Sequence, residues 1–257
     1  VQTLAPTLYA SIWDNLPAPL PRESSVDPRS FEHYGQTSGF VLYRKTLQTQ
    51  PVSALDISGV HDYAAVFVGE RYAGGVSRAQ IPRGYAQALR VTHRAPLALP
   101  ATSAGAPGAL EILVEGMGRV NFGPALADRK GLLEPVKMQY ADGSVSFLDD
   151  WEAFLLPMDE AFIAGLKERC TNPLKPGLFF KACLVLDEVG DTWLDMSHWT
   201  KGVVWVNGHN LGRYWRIGPQ QRLYCPAPWL TQGENEVLIF DLHQTETQPV
   251  QLANALY

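Results

Sequence analysis

The sequence predicts an all-β protein made of two β-sandwich or jelly-roll domains with one short helix. Three observations lead there. Short runs rich in Val, Tyr, Phe and Trp recur along the chain, 22 Gly and 19 Pro punctuate them, and one stretch alone keeps a helical period. With 257 residues, 46% of them hydrophobic and 18% charged, the chain has enough apolar material for a sizeable core. A (β/α)8 barrel, typically about 250 residues, would fit the length, but it needs strands alternating with helices of ten or more residues. Those helices are missing from the pattern.

Residues 1–30 contain Pro6, Pro17, Pro19, Pro21 and Pro28 and read as a lead-in linker, whose segment Thr7–Trp13 is able to add a strand to one of the sheets. The first domain is expected over residues 31–145, with strands at Phe40–Leu47, Tyr63–Val68 and Leu110–Val114. Its small-residue and Pro stretch Ala95–Gly108 reads as a surface excursion. The second domain is expected over 146–257, with strands at Leu178–Leu186, Val203–Val206 and Val237–Leu242, and it holds six of the seven Trp. The helix is placed at Met158–Cys170, where Asp159 and Glu160 occupy the first turn and Phe162, Leu166 and Cys170 share a face. Asn207-Gly208 lies between Val203–Val206 and Asn210–Trp215, the signal of a type I′ hairpin in which both turn residues take positive φ. Trp193, Trp205 and Trp229 are expected in the sandwich core.

Charge and composition narrow the function classes. Lys plus Arg is 21 against Asp plus Glu 26, a net charge of -5, and no basic stripe suited to nucleic acid is visible. No apolar run of about 18 residues suited to crossing a membrane is present. The start Val1-Gln2-Thr3, with no initiator Met and no apolar leader, is expected of a fragment or processed product. The compartment stays open, and secreted, periplasmic and lysosome-like locations all suit a parent. Cys170, Cys183 and Cys225 are an odd number without a C-x-x-C pair and read as small buried residues. The six His lack metal-ligand spacing, so neither a metal nor another cofactor is expected. Gly116–Gly123 looks like a glycine-rich phosphate loop, but its third glycine is misplaced and no helix follows to hold an anion.

Hydrolytic chemistry would require a carboxylate pair flanking one bond. Asp149-Asp150, Asp187-Glu188 and Glu111 with Glu115 are available, the last two read as solvent-facing on one strand, and none is a convincing catalytic pair. Aromatic clusters say more, because pyranose rings stack their C–H faces on Trp, Tyr or Phe beside a few orienting polar groups. The substrate-contact candidates are Phe122 with Asn121 and Arg119. The second cluster, Arg213-Tyr214-Trp215, fits a domain interface and also a sugar platform, since these residue types dominate interface anchors.

Several segments resemble a known family. Gly39-Phe40-Val41-Leu42-Tyr43-Arg44, Leu113–Gly123 (Leu-Val-Glu-Gly-Met-Gly-Arg-Val-Asn-Phe-Gly) and Asp128-Arg129-Lys130-Gly131 are similar to the first β-domain of glycoside hydrolase family 35 β-galactosidases. Trp199–Trp215, Gly218-Pro219-Gln220-Gln221 and Leu223-Tyr224 resemble the signature of their last β-domain. The likeness runs from Phe31 to Leu242 in family order.

The resemblance implies two galactose-binding-like jelly rolls that buttress a catalytic (β/α)8 barrel and shape its substrate cleft. In such enzymes the barrel carries two glutamates that remove terminal β-galactosyl residues with retention. No part of this chain matches the glutamate motifs, so no catalytic residue is transferred and the chain by itself is expected to be inactive. The implied partners are that barrel, in the same parent chain or a separate one, and a β-galactoside. Two positions depart from the family pattern. Gly116 stands where Asn is usual, and Phe122 stands where Tyr is frequent, which keeps a stacking face and loses a hydroxyl. A competing reading makes the chain an independent galactoside-binding module working through Phe122 or Arg213–Trp215. If Tyr214 and Trp215 face the barrel, an exposed apolar patch is expected around them.

Overall fold

The computed structural model describes residues 2–21, 28–48, 50–100 and 108–253. The strand runs read from the sequence fold as antiparallel sheets, and these sort into two compact units, residues 17–158 and residues 1–16 with 159–257.

In the unit of residues 17–158, a six-stranded sheet has the order Glu152–Leu156, Gly39–Thr46, Ala109–Gly116, Tyr63–Val68, Arg71–Ser77, Val91–His93. Every pair in it is antiparallel except the last, Arg71–Ser77 with Val91–His93. A four-stranded sheet, Val145–Leu148, Val136–Tyr140, Val52–Asp56, Leu97–Ala98, supplies the other layer. Strand periodicity explains the layers: in Val136–Tyr140, Val136 and Met138 are buried while Lys137 and Gln139 are exposed. Val41, Tyr43, Val66, Ile112 and Val114 from the larger sheet meet Val52, Leu55, Leu97, Val136 and Met138 from the smaller in one core. Each such side chain contributes about 1.5–3 kcal/mol by leaving water.

The other unit pairs a five-stranded sheet, His209–Trp215, Lys201–Val206, Gly233–Asp241, Leu178–Leu186, Thr7–Ser11, with a four-stranded sheet, Thr3–Leu4, Val250–Ala253, Thr192–Asp195, Arg222–Cys225. Its core joins Leu178, Phe180, Val204, Val206 and Ile239 to Leu194, Leu223, Cys225, Val250 and Leu252. The Asn207-Gly208 turn has φ of 49° and 83°, and Val206 pairs directly with His209, as a two-residue type I′ hairpin requires. The Asn207 side chain locks the turn: its Nδ2 donates to Trp229 O at 2.9 Å and Asn235 Oδ1 at 2.8 Å, and its Oδ1 accepts from Glu236 N at 2.9 Å.

Several expectations are corrected. The division falls after Met158 instead of after residue 145, because Val145–Leu148 pairs with Val136–Tyr140 and Glu152–Leu156 pairs with Gly39–Thr46. Within the lead-in the expected strand does form, Thr7–Ser11 pairing with Leu178–Leu186, but Thr3–Leu4 also pairs with Val250–Ala253, and residues 22–27 lie outside the described residues. The helix spans only Glu160–Ala164, capped by the Asp159 carboxylate accepting from Phe162 N at 2.9 Å and closed at Gly165. Beyond Gly165 the backbone is used otherwise: Lys167 N donates to Asn15 Oδ1 at 2.7 Å and Arg169 O accepts from Ser11 N at 2.9 Å. A second short helix, Arg83–Ala88, has no apolar stripe long enough to announce it. The stretch Ala95–Gly108 begins as a strand, Leu97–Ala98, with Leu97 and Leu99 buried, and residues 101–107 lie outside the described residues. Among the cysteines only Cys225 is buried, where burial pushes its thiol up to about 11; Cys170 is half-buried and Cys183 exposed.

One close approach fixes the second unit. Gly202 lies opposite Tyr214, and a Cβ there would overlap the Phe240 carbonyl oxygen and sit 2.7 Å from Tyr214 Oη. Gly202→Ala is therefore expected to destabilise this unit by at least the ~1–3 kcal/mol of an overpacked core site. A lowered urea midpoint would show it.

Candidate functional site

The strand Ala109–Gly116 ends at a loop that runs to the short strand Gly131–Leu132, which pairs with Val60–His61, and this loop carries Arg119, Asn121 and Phe122. Its base is charged and its tip is apolar. At the base Lys130 is 1% exposed, and its Nζ lies 2.8 Å from Asp62 Oδ2 and 2.9 Å from Asp128 Oδ2 and donates to Gly118 O at 3.1 Å. Arg78 Nη1 closes the square, 3.0 Å from Asp62 Oδ1 and 2.7 Å from Asp128 Oδ2. Asp62 Oδ2 accepts from Met117 N at 2.8 Å, so the outgoing end of the loop is tied to the group that holds its returning end. His61 Nδ1 lies 3.1 Å from Asp128 Oδ1 and 3.0 Å from Arg129 O.

Two positive and two negative groups neutralise one another here, which a buried charge demands. Burial alone would raise the Asp128 carboxyl, but hydrogen bonds and charge from Arg78 and Lys130 outweigh it and hold it far below the usual carboxylate range. The Asp128 side chain in turn raises Arg78.

Arg119 does not point to the tip. It binds back to the sandwich, with Nη1 2.7 Å from Glu32 Oε1 and Nη2 donating to Thr37 O at 2.9 Å. Burial raises the Glu32 carboxyl, and its hydrogen bonds, Arg119 among them, bring it below the ordinary value. Asn121 and Phe122 stand at the tip in water; Phe122 is 87% exposed, and Val120 and Leu126 on the same loop are 37% and 63% exposed. Gly116 is explained by packing, since a Cβ there would lie 3.0 Å from the ring of the buried Phe31.

The second candidate cluster is placed differently from expectation. Tyr214 and Trp215 are 1% and 8% exposed, so they form no exposed apolar patch. Tyr214 Oη donates to Phe240 O at 3.0 Å and Asp241 Oδ2 at 2.9 Å, in the space that Gly202 leaves. The ring of Trp215 receives Lys201 Nζ at 4.3 Å from its centroid, a cation–π contact between cross-strand partners. Arg213, the residue before Tyr214, is half-buried. Asp241 also accepts from the N–H groups of Thr200, His243 and Gln244, each at 2.8 Å; burial pushes its carboxyl up against these bonds. Burial and the Lys201 charge push the neighbouring His243 down to about 3.

Glu111 and Glu115 are buried, not solvent-facing, and Glu111 pairs with Arg44 at 2.7 Å. Asp149 bonds Lys45 at 3.1 Å on the surface. No group of three or more His, Cys, Asp or Glu is placed to hold a metal among the described residues. Asp62, Arg78 and Glu32 carry no site signal in the sequence, and the one available is faint: three consecutive charges, Asp128-Arg129-Lys130, closing a largely apolar loop.

Lys130→Met leaves two buried carboxylates with one cation and is expected to cost about 3–5 kcal/mol, read as a lowered urea midpoint. The pH dependence has a definite sign. Because Asp128 is depressed in the folded state, its contribution is complete above its unfolded value, about 3.9, and is lost as pH falls from there toward the folded value. The stability gap between the parent sequence and Asp128→Asn is expected to be constant from pH 7 to 5 and to shrink below about pH 4.

Comparison with known proteins agrees with this architecture. Residues 28–157 match the β-galactosidase first all-beta domain, and residues 177–235 match the β-galactosidase galactose-binding domain. A β-galactosidase of Xanthomonas manihotis is 36% identical over 84% of this chain and 32% of its own length. The human β-galactosidase-1-like protein 2 is 34% identical over 93% of this chain and 36% of its own length. A Bos taurus β-galactosidase is 34% identical over 87% and 35%, respectively. This chain thus spans about a third of the relatives it matches. Among solved structures, a Streptomyces avermitilis α-L-rhamnosidase aligns with 96% of this chain and 27% of its own at 12% identity and a TM-score of 0.28. From these two matched domains, the chain belongs to the β-galactosidase family, of which it comprises the first all-β domain and the galactose-binding domain.

Proposed function

We propose that these domains buttress a catalytic (β/α)8 barrel supplied by the rest of a longer parent, and that the loop 117–130 carries Phe122 to the barrel's substrate cleft. The observation behind this is the contrast within that loop. Its base is tied by buried ion pairs of Lys130 with Asp62 and Asp128, while its tip holds Phe122 87% exposed. Burying a Phe returns about 1.5–3 kcal/mol, so an aromatic held out in water on a fixed support is explained by a surface or ligand that covers it. In this reading the barrel supplies the two glutamates that remove a terminal β-galactosyl residue with retention, and the present chain supplies neither. Phe122 offers the sugar a stacking face and no hydroxyl. Asn121 beside it is the nearest side-chain amide for a sugar hydroxyl.

Tyr214 and Trp215 serve inside their own sandwich in this reading, and any barrel contact from that region falls to Arg213 and the exposed residues around it. In the full-length parent enzyme, Phe122→Ala is expected to lower kcat/KM for β-galactosides about 3- to 10-fold, the range of one stacking contact. Unchanged kcat/KM for every galactoside tested would overturn the role given to Phe122. The purified chain alone is expected to release no chromophore from a chromogenic β-galactoside.

A further inference from the structure

The outer face of the sheet Thr3–Leu4, Val250–Ala253, Thr192–Asp195, Arg222–Cys225 carries an aromatic pair that the sandwich does not use. Leu194, Leu223, Cys225 and Leu252 belong to the core, so the alternating residues Trp193, Asp195, Arg222, Tyr224 and Gln251 turn the other way. Trp193, expected in the core, is only half-buried for this reason. It is the direct cross-strand partner of Tyr224, with ring centroids 5.2 Å apart and planes at 47°, and Tyr224 is 46% exposed. The adjacent row is polar: Asp195 lies opposite both Arg222 and Gln251, and Arg222 Nε donates to Asp195 Oδ2 at 2.9 Å.

These side chains are held in place. Asp191 accepts the Tyr224 hydroxyl and, through Oδ1, Ala227 N–H at 2.8 Å. Those bonds lower the Asp191 carboxyl and raise the Tyr224 hydroxyl. Asp195 Oδ1 accepts from Ser197 N at 2.9 Å, so the carboxylate that orients Arg222 is itself oriented. An exposed aromatic already fixed this way gives up little rotamer freedom when a ligand settles on it.

We propose that the Trp193–Tyr224 ledge binds a pyranose residue of a glycan, with the sugar's C–H face on the two rings and its hydroxyls bonded to Asp191, Asp195 and Arg222. The mixture of side chains selects this ligand. A protein hot spot is depleted of charge at its centre, whereas here an ion pair and a second carboxylate directly border the rings. Sugar sites combine an aromatic face with a few fixed polar groups. Asp191 and Asp195 make the rim rich in acceptors and negative, which complements a neutral ligand that donates hydroxyl hydrogens and repels phosphorylated or carboxylated ones.

The test is titration of the whole 257-residue chain with lactose and with cellobiose, followed by 15N NMR at the Trp193 indole N–H. Saturable shifts with a dissociation constant of ~1–10 mM for at least one sugar are expected. Trp193→Ala is expected to weaken binding at least tenfold, and Tyr224→Phe, which keeps the ring and removes the bond to Asp191, several-fold. Phe122→Ala is expected to leave it unchanged, which separates this site from the role given to Phe122. Silence of both sugars, the result if a protein surface covers this face, would overturn the proposal, as would undiminished binding by a folded Trp193→Ala chain.

Discussion

Lys130 is almost wholly out of water, and a lone ammonium in that position would carry a desolvation cost of several kcal/mol. The chain meets that cost with Asp62 and Asp128, and Arg78 then balances the second carboxylate. The arrangement does more than neutralise charge. Asp62 immediately precedes the strand Tyr63–Val68 and Arg78 immediately follows the strand Arg71–Ser77, so the network belongs to the sheet before it belongs to the loop. By holding Met117 N at one end and Lys130 at the other, it transfers the sheet's rigidity to an otherwise unstructured run. Val120, Phe122 and Leu126 stay in water because both ends of their loop are fastened beneath them.

The galactose-binding domain follows the same rule with the sign reversed. Asp241 is fully buried and is surrounded by the backbone N–H groups of Thr200, Lys201, His243 and Gln244 and by the hydroxyl of Tyr214. Gly202 makes room for that hydroxyl and Lys201 lies over Trp215. The family signature through Trp199–Trp215 is thus largely a description of a core, a hairpin and a buried polar cluster. Such a segment identifies a family strongly because its geometry tolerates few alternatives.

What the sequence made legible follows from the range of the forces involved. Tyr63–Val68 and Leu178–Leu186 have the bounds their β-branched and aromatic composition suggested, and Asn207-Gly208 makes its turn because the φ requirement is local. The helix after Asp159 was over-extended because its apolar spacing continued past Gly165, where bonds to Ser11 and Asn15 claim the backbone instead. Trp193 was misread as core because type alone favours burial, while the alternation Thr192-Trp193-Leu194-Asp195 fixes its direction only once Leu194 is known to face inward. At the candidate site, Phe122 stood out as an aromatic between Gly residues, but its support did not. Asp62, Arg78 and Lys130 are scattered along the chain and converge only through strand pairing, for which no local pattern exists.

The strand Thr7–Ser11 pairs with Leu178–Leu186 across the whole of the intervening domain, with Thr7 opposite Lys181. On a ribosome this edge strand emerges before that domain and pairs only after Leu178–Leu186 has followed it. Until then its partner strand has an open edge, the kind of surface on which chains pair wrongly. Residues 17–158 need nothing from either flank to complete their sheets, so they can condense while synthesis continues and shorten the effective span that the late pairing must close. The order of assembly is thereby written into the connectivity, with residues 17–158 able to fold before the strands that flank them in sequence have paired.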